Sequence, residues 1–322
     1  MKEIGKHTRI QTTNGNNRYI LPGDLIMATF GNRYATEQLE GYVPTKYSSN
    51  YHILGQGGVV GKMASIHNKF ELIGPTSLSL VGYVVDESGQ VVNSKYLGHE
   101  AQMEYISPRT IPIPKVILSL GTSMDSGKTT SAAFLTRGLK LAKKKVAYIK
   151  LTGTAYTKDK AMVRDYGAKM SLDFSDFGFP STYMCSTREL LILYKYLLEK
   201  AKSIFPDFIV VEIADGLLQR ETAALLKNNV FAENVYGVLF SSADSISAIS
   251  GANMLKELNY NIIGVTGLFT TSPLLVDEVR KQSEYKVLLG EDLMSKEIID
   301  TLGQNIKPEI FENKVAANNG LC

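Results

Sequence analysis

Ile117-Leu-Ser-Leu-Gly-Thr-Ser-Met-Asp-Ser-Gly-Lys-Thr-Thr130 reads as a buried strand, a glycine-bounded loop and the start of a helix. Gly121 lets the chain turn off the strand, and Gly127 lets the backbone approach a ligand closely. The N–H groups of residues 123–129 then converge at a helix N-terminus, where the peptide dipoles favour an anion. Lys128 adds a charge for the β- and γ-phosphates, and the Thr129 hydroxyl is placed to ligate Mg²⁺. The stretch is thus read as a phosphate-binding P-loop. Its ligand-contacting set is Gly121, Thr122, Ser123, Met124, Asp125, Ser126, Gly127, Lys128, Thr129 and Thr130. Five residues separate Gly121 from Gly127, where four are usual, so Thr122 stands where a glycine is common. The strand before the loop and the helix after it supply the context that such a motif requires.

Outward from the loop, the chain alternates strand and helix. Val116–Leu120 is followed by a helix over Lys128–Lys143 and a strand over Lys145–Ile149. A strongly amphipathic helix covers Arg188–Ile204, with apolar Leu190, Leu193, Tyr194, Leu197 and Leu198. Asp207-Phe-Ile-Val-Val-Glu212 is a continuous apolar run, as a central parallel strand requires. Strands over Val235–Phe240, Ile262–Val265 and Lys286–Leu289 complete the pattern, with helices at about 243–258, 274–283 and 292–302. Such alternation predicts a parallel sheet covered on both faces, with ligands beyond the carboxyl ends of its strands. The loop, Lys150 and Glu212 all fall at those ends.

Residues 1–110 differ. They are dense in Gly, Asn, Tyr, Ser and Thr, with short apolar runs at 18–21, 24–30, 59–60, 70–73, 78–85 and 90–93 separated by turn signals. They predict a small all-β domain, a barrel or a sandwich. Gly55-Gln-Gly-Gly-Val-Val-Gly-Lys62 superficially resembles a second phosphate loop, but Met63 replaces the Ser/Thr and no helix pattern follows. A glycine-rich hairpin or ligand-facing loop is the better reading, and the flanking His52 and His67 read as structural. Residues 107–115 hold three of the ten prolines and read as an extended connector. The expected organisation is therefore α/β: a small β-rich domain over 1–110 and a P-loop nucleotide-binding domain over 111–322.

Composition bounds the function. The chain has 322 residues, 44% apolar and 21% charged, with a net charge of +3, which gives no electrostatic case for nucleic acid or an anionic membrane. No apolar run reaches the roughly 20 residues that span a bilayer. The N-terminus lacks a signal-peptide core, and Cys185 and Cys322 form neither a disulfide framework nor metal-ligand spacing. The expected setting is a reducing cytoplasm.

The loop resembles the five-spaced P-loop of dethiobiotin synthetase. So do Tyr148-Ile-Lys150 with Thr152-Gly153 behind it, Val210-Val-Glu-Ile-Ala-Asp-Gly216, Gly237-Val-Leu-Phe240 and Ile263-Gly-Val-Thr-Gly267. The resemblance covers about residues 116–303. It implies the group of P-loop proteins that also includes cobyrinic acid amide synthetases and the MinD/ParA ATPases. By that resemblance Lys150 serves a substrate site, Glu212 and Asp165 join Thr129 as metal ligands, the cofactors are ATP and Mg²⁺, and the protein is a homodimer. Ala214-Asp215-Gly216 departs from the family's Gly-Gly, and its adenine-holding Asn has no clear counterpart at Gly267–Pro273. The signature lysine of MinD-type loops is absent, and no Asn-Lys-x-Asp base-reading motif follows a late strand. Lys128 and Lys150 are the catalytic candidates. Lys150 reads equally as a holder of a small anionic substrate or as a solvated strand-end lysine. Glu212 reads as a metal ligand or as a buried carboxylate paired with a cation. Asp125 orients Lys128 or caps the helix. Asp173 and Asp176 read as a turn built on side-chain hydrogen bonds, and Cys185 as structural. The leading expectation is an ATP-dependent ligase or carboxylase-like enzyme acting on a small carboxylate or amine. The alternative is a nucleotide-dependent switch or assembly factor whose β domain docks a partner, with a small-molecule kinase ranked last.

Overall fold

The computed structural model describes residues 1–96 and 114–304. Most of the expected connector at 107–115, and with it the boundary at 110, lies outside the described residues, as does Cys322.

Seven short strands make up the N-terminal part: β1 Arg9–Gln11, β2 Asn17–Tyr19, β3 Thr29–Phe30, β4 Leu39–Tyr42, β5 Tyr51–Gly55, β6 Val59–Ile66 and β7 Ser77–Leu78. β1 and β2 form a ribbon. The others form a second sheet in the order β3-β6-β5-β7, with β4 also on β6. β3 and β7 stand at the two ends of that order, so the sheet is open where a barrel would be closed. The glycine-rich stretch is indeed a hairpin, with β5 antiparallel to β6. Its histidines serve the backbone: His52 Nδ1 accepts from the Met63 N–H, and His67 Nδ1 from the Lys69 N–H. The strand expected over 70–73 is a turn. The Phe70 carbonyl accepts from the N–H groups of Ile73 and Gly74, which curls the backbone after a 3₁₀ turn at Asn68–Phe70. Of the runs at 78–85 and 90–93, only Leu78 and an isolated Val85–Val91 bridge are paired.

The C-terminal part holds β8 Lys115–Gly121, α1 Lys128–Leu141, β9 Val146–Lys150, α2 Lys158–Tyr166, β10 Met170–Asp173, α3 Thr187–Lys202, β11 Phe208–Glu212, α4 Arg220–Leu226, α5 Asn229–Ala232, β12 Val235–Ser241, α6 Ser245–Glu257, β13 Ile262–Thr266, α7 Pro273–Gln282, α8 Gly290–Met294 and α9 Ile298–Gln304. The six strands form one parallel sheet in the order β10-β9-β11-β8-β12-β13. β11 is buried at every residue because it lies between β9 and β8 and is covered on both faces. One face packs on a cluster containing α3, through Leu190, Leu193, Tyr194, Leu197 and Ala201. The other packs on α1, through Ala132, Leu135 and Leu139. Ser186 and Glu189 cap α3 reciprocally, each side chain accepting from the other's backbone N–H. Two expectations change here. Lys286–Leu289 is not a strand and meets β13 only through a Val265–Val287 bridge. The helix expected over 292–302 is broken into α8 and α9 at Ser295, whose backbone is extended.

The β-rich segment docks on the carboxyl edge of half of this sheet. Gln11 bonds Thr157 twice, through Nε2 to Oγ1 at 2.8 Å and Oε1 to the backbone N–H at 3.1 Å. The Asn17 amide donates to the Tyr156 hydroxyl and Asn32 to the Tyr183 carbonyl. Ser94 donates to the Gly178 carbonyl, and Lys95 pairs with Glu189. Leu39, Leu54 and Val59 pack with Ala155. Gly57, at the hairpin tip, lies so close that a Cβ there would stand 1.7 Å from the Ala155 carbonyl oxygen. Gly57→Ala therefore lifts the hairpin off residues 154–157. We expect faster proteolysis or hydrogen exchange around Gln11 and Thr157, with the α/β core unchanged; identical protection in the variant would refute the contact.

Candidate functional site

β8 delivers the chain to the loop, and the loop closes on its own helix. Gly127 is the N-terminal cap of α1 with φ at 103°, a left-handed conformation that a side chain would strain. Ser119 Oγ donates to the Lys128 carbonyl, and Thr122 N–H to the Ser241 carbonyl, which tie the loop to the sheet on either side. Lys128 is 7% exposed, and its ammonium turns back to the Ser123 carbonyl at 2.5 Å, inside the curve of the loop. Burial lowers its pKa, opposed by Glu212 and Asp215. A desolvated ammonium that, among the described residues, donates to one neutral carbonyl is well placed to take a phosphate oxygen.

Register assembles the rest. Glu212 of β11 stands beside Lys150 of β9 on one side and Ser119 of β8 on the other. Tyr148 shares the face of Lys150, two residues earlier. Glu212 Oε1 accepts from the Thr129 hydroxyl at 2.9 Å and Oε2 from the Tyr148 hydroxyl at 2.7 Å. The Lys150 ammonium lies 3.5 Å from Glu212 Oε1 and pairs directly with Asp159 of α2. Burial opposes its charge, but the two carboxylates outweigh burial and hold its pKa above the ordinary lysine value.

The structure thus brings Lys128, Thr129, Lys150 and Glu212 into one cluster. The cation-paired reading of Glu212 is visible in it, since Lys150 lies beside the carboxylate, and the hydroxyl of Thr129 also touches it. Thr129 and Glu212 offer adjacent hard oxygens, a donor set suited to Mg²⁺ that keeps phosphate oxygens and waters as its other ligands. No group of three or more His, Cys, Asp or Glu that could hold a metal occurs among the described residues. Asp165 is exposed on α2, six residues beyond Asp159, the carboxylate that meets Lys150. Asp173 and Asp176 form a reciprocal cap on the 3₁₀ turn Phe174–Phe177, with Lys160 paired to both. Burial pushes the Cys185 thiol up to about 11, which leaves it a packing residue.

Four residues of this region carry no role in the sequence reading: Tyr148, Asp159, Asp215 and Arg33. The i, i+2 spacing of Tyr148 and Lys150 on one strand was a usable signal. Asp215 follows β11, next to Gly216, where a Cβ would stand 2.1 Å from the Thr122 carbonyl oxygen; the segment lies directly on the P-loop. Burial raises the Asp215 pKa, with Lys128, Lys150 and Arg33 acting against it. Arg33 reaches this charge from the β-rich segment. It is buried, donates to the Leu54 carbonyl and Gln38 Oε1, and burial brings it down to about 10.

The chain has a P-loop α/β fold. No family model matches it, and no curated protein does. Among solved structures it is similar to the signal recognition particle receptor FtsY from Elizabethkingia anophelis, at 18% identity and TM-score 0.40 over 65% of this chain and 71% of that one. It is also similar to the signal recognition particle 54 kDa protein from Aeropyrum pernix K1 in complex with GDP, at 17% identity and TM-score 0.40 over 70% and 54%. A third is cell division protein FtsY from Thermotoga maritima, at 15% identity and TM-score 0.36 over 67% and 79%. None of these three is a dethiobiotin synthetase, and likenesses of this size say nothing about ligand, chemistry or partner. Among the described residues no helix is long and apolar enough to cross a membrane.

Proposed function

We propose that the protein binds a magnesium nucleoside triphosphate in the 121–130 loop, cleaves its γ-phosphate, and works as a nucleotide-dependent switch through the β-rich segment. One observation carries the reading. The loops after β9 and β11 hold site residues at one end and the β-rich segment at the other: residues 150–157 run from Lys150 to the Gln11 contacts, and 212–219 from Glu212 to the neighbourhood of Arg33.

In this mechanism the backbone N–H groups and Lys128 hold the β- and γ-phosphates. Thr129 and Glu212 would hold Mg²⁺, which would supply positive charge against the phosphate oxygens. Lys150 and Tyr148 orient the Glu212 carboxylate independently of Thr129. The ligase-like reading rests on Lys150, whose ammonium already faces two carboxylates; an anionic substrate must compete with both. This favours the switch.

Calorimetric titration with ATP and with GTP, each with Mg²⁺, tests the binding step, and ATP is the expected ligand on the loop's resemblance. Hydrogen exchange at residues 9–19 and 154–157, measured without nucleotide, with ATP and with ADP, tests the switch. The expected result is a different protection in each state. Nucleotide binding that leaves all three patterns alike sinks the switch, and phosphate release stimulated by small carboxylates or amines would restore the ligase.

A further inference from the structure

A cavity opens at the amino edge of the parallel sheet, where β8 and β11 begin, on the far side from the P-loop. Its volume is about 520 Å³, within the range of sites that enclose small molecules. Its walls are mostly apolar, with Phe205 and Phe208 on one element and Ile299 and Leu302 of α9 on another. Phe205 ends α3 with φ at 52°, a left-handed position where glycine is the usual residue. Its N–H donates to the Lys202 carbonyl at 2.8 Å, and the residue is 53% exposed in the cavity wall. Packing within the described chain does not account for a phenylalanine at such a position; an apolar ligand lying against its ring does.

The charged groups on the cavity set the sign of that ligand. They are Lys115, Lys144 and Asp207. Asp207 is engaged, its Oδ2 accepting from the Lys145 N–H at 2.7 Å. Among the described residues the Lys115 ammonium meets neutral groups alone: it lies 4.5 Å from the Tyr236 ring centroid and 5.9 Å from that of Phe208, and 3.5 Å from the Tyr236 hydroxyl. The Lys144 side chain makes no hydrogen bond or ion pair among the described residues. Two ammonium groups against one carboxylate leave the lining net positive, so it draws an anion. The apolar walls disfavour a ligand that is charged throughout. A single anionic head on an apolar body fits both conditions.

We propose that this cavity binds a medium-chain carboxylate, its acyl chain against Phe205, Phe208, Ile299 and Leu302 and its carboxylate toward Lys144 and Lys115. The site lies apart from the P-loop and does not depend on what the loop binds.

The test is calorimetric titration of the full chain, without nucleotide, with hexanoate, octanoate and decanoate below their micelle concentrations, and with octan-1-ol as the uncharged counterpart. The expected result is saturable binding whose Kd falls about 4-fold for each added CH₂. Lys144→Met weakens octanoate about 5-fold and leaves octan-1-ol unchanged. Phe205→Gly suits the left-handed backbone and so keeps the fold, which circular dichroism checks; it weakens both ligands roughly 5- to 10-fold. Absence of saturable binding overturns the site, and a cavity closed by the chain's own residues 305–322 gives that result. Equal Kd values for hexanoate and decanoate overturn it too, as does binding that both variants leave unchanged. With no nucleotide present, none of these results touches the P-loop proposal.

Discussion

Lys128→Ala abolishes tight nucleotide binding. Among the described residues the ammonium donates to a single carbonyl, that of Ser123, and Lys128 is almost wholly removed from solvent. Glu212 and Asp215 offset part of the cost of burying it, and a phosphate would offset more. Truncating one partner of such a buried charged pair costs about 2–5 kcal/mol, which is roughly 30-fold to several thousand-fold in Kd. The fold should survive, because alanine favours the first turn of α1 and removes a desolvated charge. Calorimetry with Mg·ATP and Mg·GTP reads the affinity, and circular dichroism reads the fold. An unchanged Kd in a folded variant would remove the central claim about this loop.

Glu212→Ala has the largest expected effect on stability. The side chain is 1% exposed and accepts from Thr129 and Tyr148 while facing Lys150. Alanine leaves the Tyr148 hydroxyl buried without its acceptor and leaves Lys150 with Asp159 alone. Breaking a buried pair from one side costs about 3–5 kcal/mol, a large share of the stability of an ordinary domain. The urea midpoint should fall steeply. Glu212→Gln keeps one acceptor oxygen for these hydroxyls and puts a donating amide in place of the other, so its midpoint should fall less than that of Glu212→Ala while the Mg²⁺ dependence of nucleotide binding is lost. Equal midpoints for Glu212→Ala and wild type would mean that the cluster contributes nothing to the fold.

How much of this could be read from the sequence depended on how local the signal was. The P-loop needs a strand, a turn and a helix in one contiguous stretch, and β8, the loop and α1 follow Val116–Lys143 closely. β11 was legible because a strand covered on both faces is apolar throughout. β10 was not: Met170-Ser-Leu-Asp173 is short, half polar and closed by an Asp cap. α2 was missed because only Val163 of its nine residues is buried, which leaves no stripe to detect. In the N-terminal part, every strand but the eight-residue β6 has only two to five residues, too short to show a clear alternation, and the 70–73 run shows an apolar stretch turned aside by backbone bonds. The site was legible where one residue was tied to the motif, as with Thr129 and Glu212. It was not legible where partners come from distant segments: Asp159 was passed over for Asp165, and nothing near Arg33 in sequence points to Asp215.

Among the described residues, the β-rich segment bonds to one end of the sheet. Its described hydrogen bonds to the α/β part fall on segments after β9 and β10, and none falls on those after β12 and β13. A nucleotide with its phosphates in the loop and its base toward β12 and β13 would then have a doorway that this segment does not cover. Loading and unloading of nucleotide become kinetically separate from release of whatever occupies the other end. The nucleotide off-rate would be insensitive to changes at the Gly57 contact, while events on the γ-phosphate side would depend on it.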